Sequence, residues 1–288
     1  TGIVAIVVII LFILLVTQLV IRPAIKTNST LSEIKLPEGF HIRVFAENLG
    51  SSSLSTPGPN NGPRIMLYKD STVFASLTGQ GKIVALTDKA NDGTADEQMT
   101  FIDGLNKPHG LDYHDNWFYI AEETRVIKVR DDDKNGIADL GTLEVFIDDL
   151  PTGGHFTRTV KVYNNSIYLS IGSSCNVCYE RDERRAAIVK CSLGGSQCDI
   201  FAKGLRNSVG FVFHQDKIYA TENGRDLLGE NIPPEEINII EEGKDYGWPI
   251  CHGNKIHDTD FDKNVYARDP CEDTISPIVE MQAHSAPL

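Results

Sequence analysis

The chain of 288 residues is 41% hydrophobic and 23% charged, the balance of a globular protein with room for one large or two ordinary domains. Its 40 acidic against 27 basic residues leave a net charge of −13, which argues against nucleic acid or an anionic membrane surface as partner, since both select clustered Lys and Arg. An anionic ligand must then be held by a few local cations or a metal.

In chain order, Gly2 to Ile21 carry no charged side chain and are mostly Ile, Val and Leu. As a helix they reach about 30 Å, enough to span a bilayer. No small-x-small cleavage pattern follows Gln18, so residues 1–25 read as a transmembrane signal-anchor in preference to a signal peptide. Either way the remainder is expected outside the cytoplasm, in the periplasm or at the cell surface. Residues 26–35 are a polar tether, and 36–288 form the globular domain. Leu36–Phe40 is a turn, Ile42, Val44 and Phe45 begin a strand, and the Ser/Pro/Gly/Asn stretch 51–63 is a loop.

A repeat follows. The strings STVFAS, NWFYIA, SIYLS and KIYAT start at 71, 116, 166 and 217, and so lie 45, 50 and 51 residues apart. Each follows a turn rich in Asp, Asn or Lys. Three of them come soon after an apolar strand headed by Gly110, Arg158 or Gly210, and further strands fill the intervals. Helical periodicity is nearly absent beyond the N-terminus. Repeats of this length built from several strands predict an all-β chain folded as a β-propeller.

All six cysteines fall in the second half, and an even number in an exported chain points to disulfides. Fifteen pairings are formally open. Proximity favours Cys175–Cys178, Cys191–Cys198 and Cys251–Cys271, with a zinc site on the first four as the rival. Asp131, Asp133, Asn135 and Asp139, in DDDKNGIAD, alternate oxygen ligands about Gly136 as calcium loops do. The twelfth place is Thr142 and not Glu, so this is no EF-hand; a structural calcium site and a solvated turn are both open. DKANDGTAD at 88–96 is a weaker copy, with Ala90 where an oxygen belongs. Asn28 and Asn164 head glycosylation sequons that decide nothing about function.

Two stretches carry chemistry. In LPTGGHFTRT, Gly153-Gly154 lets the backbone turn and leaves His155 at a strand entrance. His titrates nearest neutrality and suits general-base work. In Gly204 to Pro249 the pair Arg206-Asn207 precedes a hairpin, Asn223-Gly224-Arg225 follows it, and Glu235-Glu236 and Tyr246-Gly247-Trp248-Pro249 come after. Arg206 offers a forked, permanent cation, and the glutamates offer hard oxygens to calcium. This order of RN pair, short strand, NG turn, acidic pair with Ile237-Asn238, and YGWP resembles the pyrroloquinoline quinone (PQQ) dependent glucose/sorbosone dehydrogenase family. The GGHFTRT segment resembles that family's stretch bearing the catalytic His. The resemblance runs from Leu36 to Leu288.

The resemblance implies a six-bladed propeller, of which about four blades fit, so that the chain stops where a family sequence would be midway. It implies an enzyme that oxidises an aldose or related polyol with PQQ and Ca2+ and passes electrons to an external acceptor. His155 would be the base, Arg206 would polarise the quinone oxygens, and Asn207 and Asn223 would hydrogen-bond the cofactor. Carbonyls of Gly224 and Arg225 with the Glu235 carboxylate would hold calcium, and His109 would touch the sugar. Glucose itself is disfavoured, because Gly154 stands where glucose enzymes of the family have Asp. Ile171–Cys178 and Arg184–Ile188 look like the sorbosone-type branch, for which a disulfide-pinned loop near the pocket suffices. Two other classes remain open: a propeller that binds a glycan or protein without redox chemistry, and a propeller metal hydrolase. The joint presence of His155, Arg206-Asn207 and a Glu235 calcium site distinguishes the dehydrogenase from both.

Overall fold

A computed structural model describes residues 33–49, 62–194 and 198–287. The anchor at 1–25, most of the tether and of the loop 51–63, and the Asn28 sequon lie outside them. Two units are distinguished, Thr1–Phe45 and Ala46–Leu288. In the first, Phe40 N–H donates to Pro37 O and closes the expected turn. The strand expected at Ile42, Val44 and Phe45 does not form, since no described strand pairs with these residues. Among the described residues no helix is long and apolar enough to cross a membrane.

The second unit is built of strands. In chain order they are β1 (Met66–Lys69), β2 (Thr72–Leu77), β3 (Lys82–Thr87), β4 (Glu97–Ile102), β5 (Gly110–His114), β6 (Trp117–Ala121), β7 (Val126–Arg130), β8 (Asp139–Ile147), β9 (Val160–Tyr163) and β10 (Ser166–Ile171). They continue as β11 (Ala187–Ser192), β12 (Cys198–Lys203), β13 (Phe211–His214), β14 (Lys217–Glu222), β15 (Glu235–Ile240), β16 (Lys244–Asp245), β17 (Cys251–His252), β18 (Ile256–His257) and β19 (Val279–Met281). Four antiparallel meanders result: β1–β4, β5–β8, β9–β12 with β16 added in parallel, and β13–β15 completed by β19. β17 and β18 form a separate hairpin. These are the blades of a propeller arrangement, four of the six that the resemblance implies. The four repeated strings are β2, β6, β10 and β14, the second strand of each blade.

The alternation of strand side chains joins the blades. Phe118 and Ile120 of β6 face blade 1 and meet Phe74, Ile83 and Phe101. Tyr119 and Ala121 face blade 3 and meet Ile167, Leu169 and Val189. Tyr168 in turn faces blade 4, with Phe211 and Ile218. Ile120 and Ile167 are fully buried, and each such side chain contributes about 1.5–3 kcal/mol. First strands lie side by side as well, β1 against β5 and β5 against β9. Gly110 on β5 is required there, because a Cβ would stand 2.4 Å from Arg158 O.

Up-and-down blades send alternate connections to opposite ends. The loops that follow second and fourth strands, at 148–159, 172–186, 204–210 and 223–234, therefore share one end, and the acidic loops 88–96 and 131–138 lie at the other.

Candidate active site

The mouth of blades 3 and 4 collects the residues read as chemical. Loop 148–159 carries His155, loop 204–210 carries Arg206 and Asn207, and loop 223–234 carries Asn223, Gly224 and Arg225. His155 packs on Gly172 at the end of β10, where a Cβ would stand 2.6 Å from His155 Cβ and 2.7 Å from Asn207 Oδ1. The catalytic candidate and a cofactor-binding candidate thus meet across one glycine, although they are far apart in sequence.

His155 is half-buried and its Nδ1 lies 3.1 Å from Ser173 O and 2.9 Å from Ser173 Oγ. A carbonyl only accepts, so Nδ1 carries the proton and Nε2 keeps its lone pair. Burial, and then the charge of Arg206, hold the imidazole below its ordinary pKa and keep it neutral. Ser173 is fully buried; its N–H donates to Arg206 O and its hydroxyl to Cys175 O.

Arg206 is 5% exposed and its guanidinium is fully engaged. Nε donates to Asn176 O at 2.9 Å, and Nη2 to Asn176 Oδ1 at 2.9 Å and Asp226 Oδ2 at 3.3 Å. Nη1 donates to Asn223 O at 3.0 Å and Gly224 O at 2.8 Å. The two carbonyls that converge on positive charge are thus those of Asn223 and Gly224. Arg225 instead pairs through its side chain with buried Asp258 at 2.6 Å. Glu235 stands on β15 with both oxygens taken by main chain, accepting from Gly224 N–H at 2.8 Å and His284 N–H at 3.1 Å. Asn207 Oδ1 accepts from Thr157, and Asn223 Nδ2 donates to Asn207 O and Pro287 O.

Three supports carried no role in the sequence reading. Buried Glu222 accepts from Asn207 N–H and the Ser208 hydroxyl, both at 2.7 Å, and burial raises its carboxyl to about 8. Arg158, fully buried, donates to the carbonyls of Pro151, His155 and Thr157. Arg185 donates to those of Thr152, Gly153 and Gly172. The loop bearing His155 is therefore strung over two guanidinium groups.

His109 is only 1% exposed, with Nδ1 3.3 Å from Arg158 O, so it lies beneath the mouth and not at its surface. Burial lowers its pKa to about 4. The three cysteine pairs Cys175–Cys178, Cys191–Cys198 and Cys251–Cys271 are disulfides. Cys175, Cys178 and Glu180 cluster as metal ligands do, but sulfurs bonded to each other are not thiolates, and the zinc reading falls. In the loop 131–139, Asp131 accepts from the amides of Asn135 and Gly136, Asp133 from Asn135, and Asp139 from Asp132. Its carboxylates are satisfied by the loop's own N–H groups and do not draw together as a three-carboxylate metal cluster.

A family model described as TrAA12-like matches residues 62–288. An uncharacterized protein of Borreliella burgdorferi is 31% identical over 280 residues, covering 92% of this chain and 68% of its own length. Among solved structures, the calcium structure of the Trichoderma reesei enzyme of Carbohydrate-Active Enzymes Family AA12 is 20% identical with a TM-score of 0.68, covering 78% of this chain and 69% of that one. The holo PQQ domain of Coprinopsis cinerea pyranose dehydrogenase is 19% identical with a TM-score of 0.67, covering 78% and 66%. The PQQ-bound aldose sugar dehydrogenase of Streptomyces coelicolor is 16% identical with a TM-score of 0.58, covering 84% and 71%. At these identities the structural likeness establishes the fold.

Proposed function

The chain belongs to the TrAA12-like family, and on that premise we propose that it is an oxidoreductase that oxidises a hydroxyl carbon of an aldose or related polyol with PQQ and Ca2+. The observation that carries this reading is the convergence of His155, Arg206 and Asn207 on one mouth, across Gly172 and beside paired carbonyl oxygens. A purely binding propeller needs no such grouping.

The residues present fit the two groups. Asn223 O and Gly224 O already converge on one positive charge, Arg206 Nη1, and hard oxygens so arranged are what calcium takes. Arg206 is the cation at this mouth that suits a quinone bearing carboxylates. Bound there, PQQ supplies the hydride acceptor. Arg206, Asn207 and the Asn223 side chain would hold it, and the carbonyls of Asn223 and Gly224 would hold calcium. Glu235 would assist by fixing the Gly224 peptide.

The chain's own work is proton transfer and electrostatics. His155 takes the substrate hydroxyl proton at Nε2, while Nδ1–H stays on Ser173 and fixes the ring. With the carbonyls of Asn223 and Gly224 given over to a cation, the Nη1 edge of Arg206 would be free to stabilise negative charge as it develops. The apolar stretch at 2–21 and three disulfides support an extracytoplasmic, membrane-anchored site of action, with an external electron acceptor.

The test is reconstitution with PQQ and CaCl2, following reduction of a dye acceptor while aldoses are added. Reduction that requires both additions is expected. Absence of PQQ binding overturns the proposal and leaves a propeller that binds a partner.

A further inference from the structure

The loop between β10 and β11 touches both halves of the site, and its grip is concentrated at one residue. Asn176 lies in a four-residue ring closed by Cys175–Cys178. Its O and Oδ1 accept from Arg206 Nε and Nη2, both at 2.9 Å. Its amide is held in turn: Nδ2 donates to Asp226 O at 2.9 Å, and Asp226 N–H donates to Oδ1 at 2.8 Å. The Trp248 indole also donates to Asn176 O, at 3.4 Å. One residue earlier, Cys175 O accepts the Ser173 hydroxyl at 2.6 Å. That bond commits the hydroxyl's only proton and leaves Ser173 Oγ to accept from His155 Nδ1.

We propose that Asn176, clasped by the Cys175–Cys178 disulfide, is a positioning residue that fixes the guanidinium of Arg206, while the same clasp holds the ring of His155 through Cys175 O and Ser173. The division of labour follows from the contacts. Nη1 faces the two carbonyls that a cation would take over, whereas Nε and Nη2 face Asn176. Asn176 is the grip that persists when Nη1 changes partner. A side chain as flexible as Arg loses much of its cost of ordering when two edges are held in advance. A three-bond link between Cys175 and Cys178 keeps Asn176 O and Oδ1 facing the same way. The inference rests on the dehydrogenase reading for its purpose but not for its test.

The test uses the full chain with no cofactor added. In protein labelled with 15N-arginine, the Arg206 Nη2–H signal is identified by its loss in Arg206→Lys. Asn176→Ala removes the Oδ1 acceptor of Nη2 and should raise Nη2–H exchange with water at least about tenfold, the size of losing a hydrogen bond to a charged group. Cys175→Ala/Cys178→Ala should do the same and also shift the tautomer ratio of 15N-labelled His155. Asn176→Asp keeps the acceptor and should retain slow exchange. Should Asn176→Ala lose the native circular dichroism, Asn176→Ser is measured in its place. Exchange within twofold of wild type in both the Asn176 variant and the double-cysteine variant overturns the proposal, as does fast exchange in Asn176→Asp. A second arm adds PQQ and CaCl2, where the Asn176 variant should lower kcat more than it raises KM. If the wild type takes up no PQQ, the proposed function fails while the exchange measurement still decides the role of Asn176.

Discussion

Gly172→Ala places a single methyl group between the proposed base and the proposed cofactor ligand. Gly172 does not sit in the left-handed region, so alanine is not strained there by its backbone. Its Cβ would stand 2.6 Å from His155 Cβ and 2.7 Å from Asn207 Oδ1. Carbon atoms pack at about 3.5 Å or more, so His155 must retreat by roughly 0.9 Å or the strand end must shift by as much. Overpacking of this kind costs about 1–3 kcal/mol, which lowers Tm by roughly 2–10 °C in a domain of this size. Turnover should suffer more, because a misplacement of about 1 Å costs on the order of a hundredfold. The assay pairs a thermal melt with dye-coupled turnover in the presence of PQQ and calcium. A variant that melts a few degrees lower yet turns over within about threefold of wild type would refute the claim that His155 and Asn207 work across this glycine.

Replacing the base itself, His155→Ala should cut turnover by roughly two to four decades, the range of a general-base effect, with PQQ binding kept; unchanged turnover would remove His155 from that role. His109 makes folding acid-sensitive. Its folded pKa of about 4 lies below the ordinary 6.5, so the unfolded chain binds the extra proton. Stability from this source is complete above about pH 6.5 and declines as pH falls toward 4, by at most about 3 kcal/mol. Urea melts of His109→Asn across that range should show a flatter pH dependence than wild type, and an identical slope would contradict the burial argument. Cys251–Cys271 links residues 20 apart, both buried. Closing a loop of that length stabilises by about 3 kcal/mol, and a denaturant melt of Cys251→Ser/Cys271→Ser should show that loss.

What the sequence disclosed was what repeats. Four similar strings at nearly constant spacing located the second strand of each blade, and the loop-end positions of His155 and Arg206-Asn207 followed from strand boundaries. Residues whose role lies in supporting another residue gave no such signal. Glu222 reads as the last residue of an ordinary strand, KIYATE, and only the fold shows its carboxyl sealed beneath Asn207. Arg158 and Arg185 read as strand-flanking charges until the loop 150–157 is seen draped over them. Ser173 and Asn176 stood inside a recognised segment, yet their contacts reach residues 155, 206 and 226 in other loops. In DDDKNGIAD the ligand-like alternation of oxygens serves the loop's own amides, a use that the sequence pattern does not separate from cation binding. The Ile42–Phe45 strand failed because alternation states what a strand would bury and not whether a neighbour exists to pair with it.

The apolar clusters lie between blades, each drawn from two neighbours, and this decides the order in which the domain comes apart. Blade 3 is wedged between the clusters built on Tyr119 and Ile167 on one side and Tyr168 and Phe211 on the other. No blade can open without uncovering half of a neighbour's interior, so opening spreads as it does along a row of dominoes, governed by nearest-neighbour terms. Blade 2 is flanked in the same way, so amide protons on β6, β7, β10 and β11 should be the last to exchange with solvent. The loop that grips Arg206 and His155 grows from β10 and β11, which places the chemistry among the slowest-opening parts of the domain.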